Sequence, residues 1–174
     1  MRYLLAALLL VPALANAQSV SLDLFAKAGF QVPKSRVDSL DFTLPTLDGK
    51  NVTLGSHKGS VVLLKFWATW CPPCRAEIPS LESLYSSLKP KGLVMLAVDL
   101  AEDKKKVQDF VGQNKMDVPV LLDATGDVGN SYGVQAIPAT FVLDKSGRIV
   151  ALMNQSWNWT APETTGLIQK LLAE

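Results

Sequence analysis

The sequence predicts an α/β domain in which a central mixed sheet is flanked by helices on both faces. Two nearly continuous apolar runs, Val61–Trp67 and Leu93–Val98, are typical of strands that are covered on both sides. Each run is followed by a segment with helical spacing of apolar residues, over 72–89 and 102–115. A third short strand is expected over 118–122, and alternation of this kind places helices against a largely parallel sheet.

Two β-hairpins and a closing helix complete the predicted order. Short alternating runs surround turn residues at Asp48–Gly49 and again at 144–147, which is the pattern of a hairpin. The last helix follows Thr160-Ala161-Pro162-Glu163, a sequence typical of a capping box with proline in the first turn.

The N-terminal residues 1–17 have the pattern of a secretory signal peptide. Arg2 precedes an apolar run over 3–14, and Ala15-Asn16-Ala17 is a small-x-small cleavage site. The apolar run is shorter than the roughly 20 residues that span a bilayer, although a tether formed by an uncleaved N-terminal segment is the alternative. We therefore expect export to the periplasm.

The mature chain is expected to consist of an N-terminal extension over 18–40 and one domain over 41–174. An apolar patch at 22–30 predicts one or two helical turns that pack against the body. A formal net charge of +1 gives no electrostatic footprint for nucleic acid, so no such partner is expected.

The two cysteines of the chain, Cys71 and Cys74, lie where the first buried strand meets its helix. Disulfides persist in an oxidising compartment, but a pair this close closes almost no loop and adds little stability. Redox chemistry is therefore the expected use. A helix N-terminus favours negative charge and lowers the pKa of a thiol there, which makes Cys71 the nucleophile and Cys74 the resolving thiol. A Cys-x-x-Cys pair at this turn of such a sheet is the thioredoxin arrangement.

Three separated motifs in this order resemble the TlpA/ResA-like family of exported thiol–disulfide oxidoreductases. They are Asp41-Phe-Thr-Leu-Pro, Phe66-Trp-Ala-Thr-Trp-Cys-Pro-Pro-Cys-Arg-Ala-Glu-Ile-Pro and Tyr132-Gly-Val-Gln-Ala-Ile-Pro-Ala-Thr-Phe-Val-Leu-Asp. The resemblance covers about residues 38–173. It implies a thioredoxin fold with an added N-terminal β-hairpin and an inserted helix within 100–118. It also implies a cis peptide bond at Pro138 and a substrate segment that pairs with the backbone of Ile137.

The resemblance also implies protein disulfides as substrates and a membrane-embedded electron donor protein that reduces the enzyme again. Members of the family act in cytochrome c maturation or in copper-site assembly. Trp70, Pro72 and Pro73, which adjoin Cys71, are expected to contact substrates together with Ile137 and Pro138.

Lys65 and Glu77 are candidates for tuning the pKa values of the thiols. Thioredoxins place a buried acid six residues before the first cysteine, where this chain has Lys65. The favoured interpretation is that the stem of Lys65 lies along the sheet and its ammonium reaches water. Glu77 is a candidate proton acceptor, but a surface acid in the first helical turn is the favoured interpretation.

A reductase is the preferred function, and two alternatives stay open. A disulfide-forming oxidase usually has a larger helical insertion than 102–115 supplies. The second alternative is a Cu(I) chaperone, because two thiolates can hold Cu(I). A zinc site would need four ligands, and two cysteines with a single histidine, His57, are too few. We expect no metal, and no cofactor apart from the Cys71–Cys74 disulfide.

Overall fold

A computed structural model describes residues 22–174, so the predicted signal peptide and its cleavage site lie outside the described residues. The strands are β1 Val37–Asp38, β2 Thr43–Pro45, β3 Asn51–Thr53, β4 Val61–Trp67, β5 Leu93–Leu100, β6 Val120–Asp123, β7 Ala139–Leu143 and β8 Arg148–Met153. The helices are α1, described over residues 22–27, α2 Pro72–Leu88, α3 Lys104–Asn114, α4 Asp127–Ser131 and α5 Pro162–Ala173. None of the helices between residues 22 and 174 is long and apolar enough to cross a membrane.

Six strands form one mixed sheet in the order β1-β8-β7-β4-β5-β6, with a separate hairpin of β2 and β3. The central strands β4, β5 and β6 are parallel, whereas β7 and β8 run antiparallel to their neighbours. The predicted α/β sheet and both predicted hairpins are thereby confirmed.

Every residue of β4 is buried because the sheet is covered on both faces. Successive side chains of a strand point to opposite faces. Leu63 and Trp67 accordingly join the core that α2, α3 and α5 cover, while Leu64 and Phe66 join the core beneath the β2–β3 hairpin and α4. The loop after Trp67, which leads to the cysteine pair, therefore begins at the end of β4, between the two cores that cover the faces of the sheet.

The N-terminal apolar patch packs into the main core. Phe25 in α1 is fully buried and Phe30 is nearly so. The Phe30 ring contacts the rings of Trp157 and Trp159, with centroids 5.6 and 6.2 Å apart. Strand β1 then pairs with β8 at the edge of the sheet. Residues 22–38 thus contribute directly to the packing of the domain.

The expected capping box before α5 is wrong. The residue at the N-cap is Ala161, without a side-chain hydrogen bond. The Thr160 hydroxyl instead donates to Asn158 Oδ1 at 2.7 Å, because this local turn competes for it. Helix α4, in the passage after β6, is a further element that the sequence pattern does not predict.

Candidate active site

The two cysteines form a disulfide at the N-terminus of α2, with a sulfur–sulfur distance of 2.06 Å. Cys71 is the N-cap residue, and Pro72 and Pro73 are the first helical residues, where a missing N–H breaks no intrahelical bond. The backbone N–H of Cys74 points at Cys71 Sγ over 3.2 Å. The prolines thus remove two donors from the helix terminus, and the next donor in the chain is aimed at the sulfur expected to be the nucleophile.

The disulfide is buried, whereas the residues next to Cys71 in the chain are exposed. Cys71 is 2% exposed and Cys74 is 0% exposed, whereas Trp70 is 61% exposed. Pro72 and Pro73 are exposed as well. In the oxidised state only a small part of Cys71 is therefore open to solvent.

A cis peptide bond joins Ile137 and Pro138, and this confirms the prediction for that position. Cys71 Sγ lies 3.8 Å from the carbonyl oxygen of Ile137, immediately before β7 begins at Ala139. Ile137 is half-buried, and within residues 22–174 it takes part in no backbone–backbone hydrogen bond. Its amide is consequently available to an extended segment laid beside the disulfide.

The favoured interpretations of Lys65 and Glu77 are both wrong, because the two side chains form a buried ion pair. Lys65 is 3% exposed and Glu77 is 1% exposed, with Lys65 Nζ bonded to Glu77 Oε2. The other oxygen, Glu77 Oε1, accepts hydrogen bonds from the Trp157 N–H at 2.8 Å and the Trp159 indole at 3.1 Å. Burial lowers the pKa of Lys65, against the opposing effect of the Glu77 carboxylate.

The physical reason for this correction is the direction of the Lys65 side chain. It lies two residues from Trp67 on β4 and so points to the face that α2 covers. The ammonium therefore meets helix α2 rather than solvent, and Glu77, one turn after Cys74, supplies the opposite charge. A buried charge is normally tolerated only when it is paired in this way.

A second polar cluster, which no sequence motif indicates, supports the loop before Cys71. Glu102 accepts hydrogen bonds from the backbone N–H of Thr69 at 2.5 Å and from the Thr69 hydroxyl at 2.7 Å. The Lys106 ammonium lies 2.6 Å from Glu102 Oε1. We call Thr69, Glu102 and Lys106 the loop clasp.

Asp99 lies next to the loop clasp, at the carboxyl end of β5. It is 1% exposed, and neither of its carboxyl oxygens receives a hydrogen bond within the described part of the chain. Burial and the neighbouring Glu102 carboxylate raise the pKa of Asp99 to about 8. Burial alone would raise the pKa of Glu102 too, but hydrogen bonds from Lys106 and Thr69 outweigh it and hold that pKa below its ordinary value. The sequence feature that could have identified Asp99 is its position as an acid at the end of an otherwise apolar strand.

Between residues 22 and 174, no three His, Cys, Asp or Glu side chains are grouped so that they could hold a metal ion. His57 lies at the end of a short 3-10 turn over Leu54–His57.

Comparison with known proteins relates this chain to thiol–disulfide redox proteins. The model of the Redoxin family matches residues 27–168. A thiol-disulfide oxidoreductase ResA from Bacillus cereus is 33% identical over 147 residues, which are 82% of this chain and 84% of that protein. The ResA of Bacillus thuringiensis subsp. konkukian is 38% identical over 110 residues, which are 63% of this chain and 64% of the relative, slightly under two thirds of its length.

Solved structures agree in fold. A thiol:disulfide interchange protein of the thioredoxin family from Chlorobium tepidum superposes with a TM-score of 0.70 and 26% identity, covering 80% of this chain and 99% of that one. StoA from Bacillus subtilis superposes with a TM-score of 0.63 and 27% identity, covering 78% and 97%. The predicted thioredoxin fold is confirmed, and the chain belongs to the Redoxin family, with ResA thiol-disulfide oxidoreductases among its relatives.

Proposed function

We propose that this protein is a periplasmic thiol–disulfide oxidoreductase that reduces disulfides in exported proteins. The observation that carries the proposal is the Cys71–Cys74 disulfide at the N-terminus of α2, 3.8 Å from the carbonyl oxygen of Ile137. Such a site combines a helix terminus that favours a thiolate with the backbone of Ile137, which has no backbone hydrogen-bond partner within residues 22–174. The names of the ResA relatives support the same activity.

The reaction moves two electrons from the enzyme to the substrate. The Cys71 thiolate attacks one sulfur of the substrate disulfide, and the other substrate sulfur leaves as a thiolate. The Cys74 thiolate then attacks Cys71 Sγ, which releases the second substrate thiolate and forms the Cys71–Cys74 disulfide. A dithiol of a membrane-embedded electron donor protein supplies the two electrons that reduce this disulfide again. No cofactor or metal takes part.

Substrate contacts are assigned to the rim of the disulfide. An extended substrate segment pairs with the backbone of Ile137, beside Pro138, while the exposed Trp70 ring supplies an apolar contact. Pro72 and Pro73, which follow Cys71 in the chain, add a rigid, exposed surface.

The buried pair of Lys65 and Glu77 tunes the ionisation of the thiols. Glu77 lies one turn after Cys74 on the same helix, and its carboxylate is the acid–base group that α2 places in the dry core. The Lys65 ammonium balances the Glu77 carboxylate, so the pair adds no net negative charge to that core that would disfavour a thiolate.

Trapping experiments test the two cysteine roles. Cys74→Ser leaves the nucleophile without its resolving partner, so it should accumulate a mixed disulfide with a reducible protein such as insulin. Cys71→Ser, the matched control, should form none. Equal trapping by both variants contradicts the assignment of the nucleophile.

The reduction potential of the Cys71–Cys74 pair tests the direction of the reaction. Equilibration with thiol–disulfide buffers should give a value well below that of strong oxidants, which lie at about −120 mV. A value near −120 mV would instead establish the disulfide-forming oxidase. Binding of Cu(I) by the reduced protein, with no insulin reduction, would establish the copper chaperone.

The substrate class proposed is the oxidised cysteine pair of an apocytochrome c or of a copper-site protein in oxidase assembly. Reduction rates measured side by side on an oxidised Cys-x-x-Cys-His peptide and on an oxidised copper-site domain discriminate between them. N-terminal sequencing of protein recovered from the periplasm should begin at Gln18. An N-terminus at Met1 would support the tether instead.

A further inference from the structure

The loop that carries Trp70 and leads into Cys71 is held by a carboxylate from another part of the chain. Glu102 lies in the segment between β5 and α3, and its side chain is only 3% exposed. Its two oxygens bind the N–H and the hydroxyl of Thr69, so one side chain satisfies both donors of that residue. Charge-assisted hydrogen bonds of this kind are about twice as strong as neutral ones. The loop clasp therefore fixes the backbone two residues before the nucleophile.

Asp99, which is 1% exposed, lies within hydrogen-bond reach of the Glu102 carboxylate and has no donor of its own within residues 22–174. Both of its carboxyl oxygens are buried and lack a hydrogen bond within the described residues. An ionised carboxylate in that position would be costly, since a buried charge needs a partner. A protonated Asp99 removes the problem, because its O–H can donate to the adjacent Glu102 carboxylate.

We propose that Asp99 and Glu102 form a carboxyl pair that shares one proton, and that Asp99 is a positioning residue which keeps Glu102 bound to the active-site loop. The pair resembles other sites where two close carboxyl groups cannot both ionise. Asp99 acts only through Glu102, and it touches neither the sulfurs nor a substrate.

The charges that face Asp99 favour this single proton. Glu102 and Lys106 come from the segment leading into α3 and from α3 itself, and Asp123 comes from the neighbouring strand β6. With Asp99 protonated, one positive charge faces two negative ones. With Asp99 ionised, three carboxylates share one ammonium, of which 56% of the side chain is exposed to water. The raised pKa of Asp99, about 8, agrees with this count.

The sign of the effect on the active site follows. At a pH below the one at which Asp99 loses its proton, the protonated Asp99 holds Glu102 in place. Glu102 then stays bound to Thr69, as in the structure, where Cys71 is 2% exposed. Above that pH the two carboxylates repel each other, Glu102 releases Thr69, and the opening over Cys71 widens. The oxidised enzyme should therefore be reduced faster at alkaline pH than a protein whose clasp stays closed.

The test begins with the oxidised full-length mature protein, in which the cysteines do not titrate. Nuclear magnetic resonance should show the Thr69 amide proton far downfield at pH 6, and this signal should move upfield with a midpoint between pH 7 and 9. The side-chain carboxyl carbon of Asp99 should titrate with the same midpoint. Asp99→Asn, which can donate to Glu102 but cannot ionise, should hold the Thr69 signal still. An immobile Thr69 signal in the wild type, or an unchanged transition in Asp99→Asn, would overturn the proposal.

Asp103→Asn is the matched control on the same segment. Asp103 caps α3 by accepting hydrogen bonds from the N–H groups of Lys105 and Lys106, and asparagine caps equally well. This variant should keep the wild-type transition. Loss of the transition in both variants would show a general loosening of the segment and would refute a specific role for Asp99.

Reactivity is measured as the rate of reduction by dithiothreitol, expressed as the ratio of wild type to Asp99→Asn at each pH. The ionisation of the reagent cancels in that ratio. It should be near one at pH 6 and rise by about threefold or more by pH 9. If the ratio of the two reduction rates does not change with pH although the Thr69 signal titrates, the positioning role of Asp99 is overturned. This reactivity test rests on the proposed redox function, but the amide titration does not, so the two failures are distinguishable.

Discussion

The buried ion pair of Lys65 and Glu77 makes a sharp prediction about stability. Lys65→Met removes the ammonium but keeps the length of the side chain, and it leaves the Glu77 carboxylate at 1% exposure without its cation. Breaking a buried pair from one side costs about 3–5 kcal/mol. Glu77→Gln strands the ammonium instead, while its amide oxygen can still accept from Trp157 and Trp159, so its cost should be comparable. Either loss is a large part of the about 5–15 kcal/mol that stabilises a typical domain.

The double variant Lys65→Met/Glu77→Gln should recover most of that loss. It contains no ion pair at this site, and the glutamine oxygen can still accept from the Trp157 backbone N–H and the Trp159 indole N–H, so we expect a stability within about 1–2 kcal/mol of the wild type. Urea unfolding of the oxidised proteins, followed by far-ultraviolet circular dichroism, gives the four free energies of the cycle. Single losses below about 1 kcal/mol that simply add in the double variant would refute a coupled internal pair.

Four further substitutions test other parts of the structure. The pKa of Asp99 is 3.8 in the unfolded chain and about 8 in the folded one, so its contribution to stability is present below pH 4 and is lost as the pH rises to 8. Each pH unit in that window is worth about 1.4 kcal/mol. In urea unfolding, the free energy of unfolding of Asp99→Asn should therefore gain roughly 3 kcal/mol relative to that of the wild type between pH 5 and 8. Trp70→Ala, at 61% exposure, should change stability by less than about 0.5 kcal/mol and raise KM for a protein disulfide, whereas Trp159→Ala, at 0% exposure, should cost about 3–5 kcal/mol. Phe25→Ala should cost about 3–5 kcal/mol as well, and a loss below about 1 kcal/mol would mean that α1 is dispensable.

The parts of the fold that local patterns specify could be predicted from the sequence. The unbroken apolar run of β4 requires cover on both faces, and proline in the first turn marks the start of α2. The cis bond at Pro138 came from the family resemblance, because nothing in a single X-Pro pair distinguishes cis from trans. Helix α4 escaped prediction because five residues with two flanking glycines carry too little apolar periodicity.

The charged groups around the site could not be predicted, because their partners are chosen by tertiary packing. Strand alternation places Lys65 on the α2 side, but only the seating of α2 on the sheet decides that Glu77 is opposite it. Thr69 and Glu102 are 33 residues apart, and no local spacing links a threonine in one loop to an acid in another. In both cases a charged side chain of a type that is usually exposed, Lys65 or Glu102, is almost completely covered together with its partner, Glu77 or Thr69.

These two buried groups explain how a cysteine pair inside an apolar environment can gain a charge. With one proton on the carboxyl pair, Asp99 and Glu102 carry a single negative charge, which Lys106 balances, and Lys65 balances Glu77. Apart from Asp123, whose Oδ2 accepts a hydrogen bond from the Gly129 N–H at 2.8 Å, neither cluster then presents an uncompensated negative charge, so a Cys71 thiolate is opposed mainly by desolvation and is favoured by the Cys74 N–H and the terminus of α2. If Asp99 loses its proton, a further negative charge that Lys106 does not balance appears beside the loop that leads to Cys71. The thiolate is then disfavoured at the same pH at which the released loop exposes its sulfur, so electrostatics and access act in opposite directions on the reduced and oxidised enzyme.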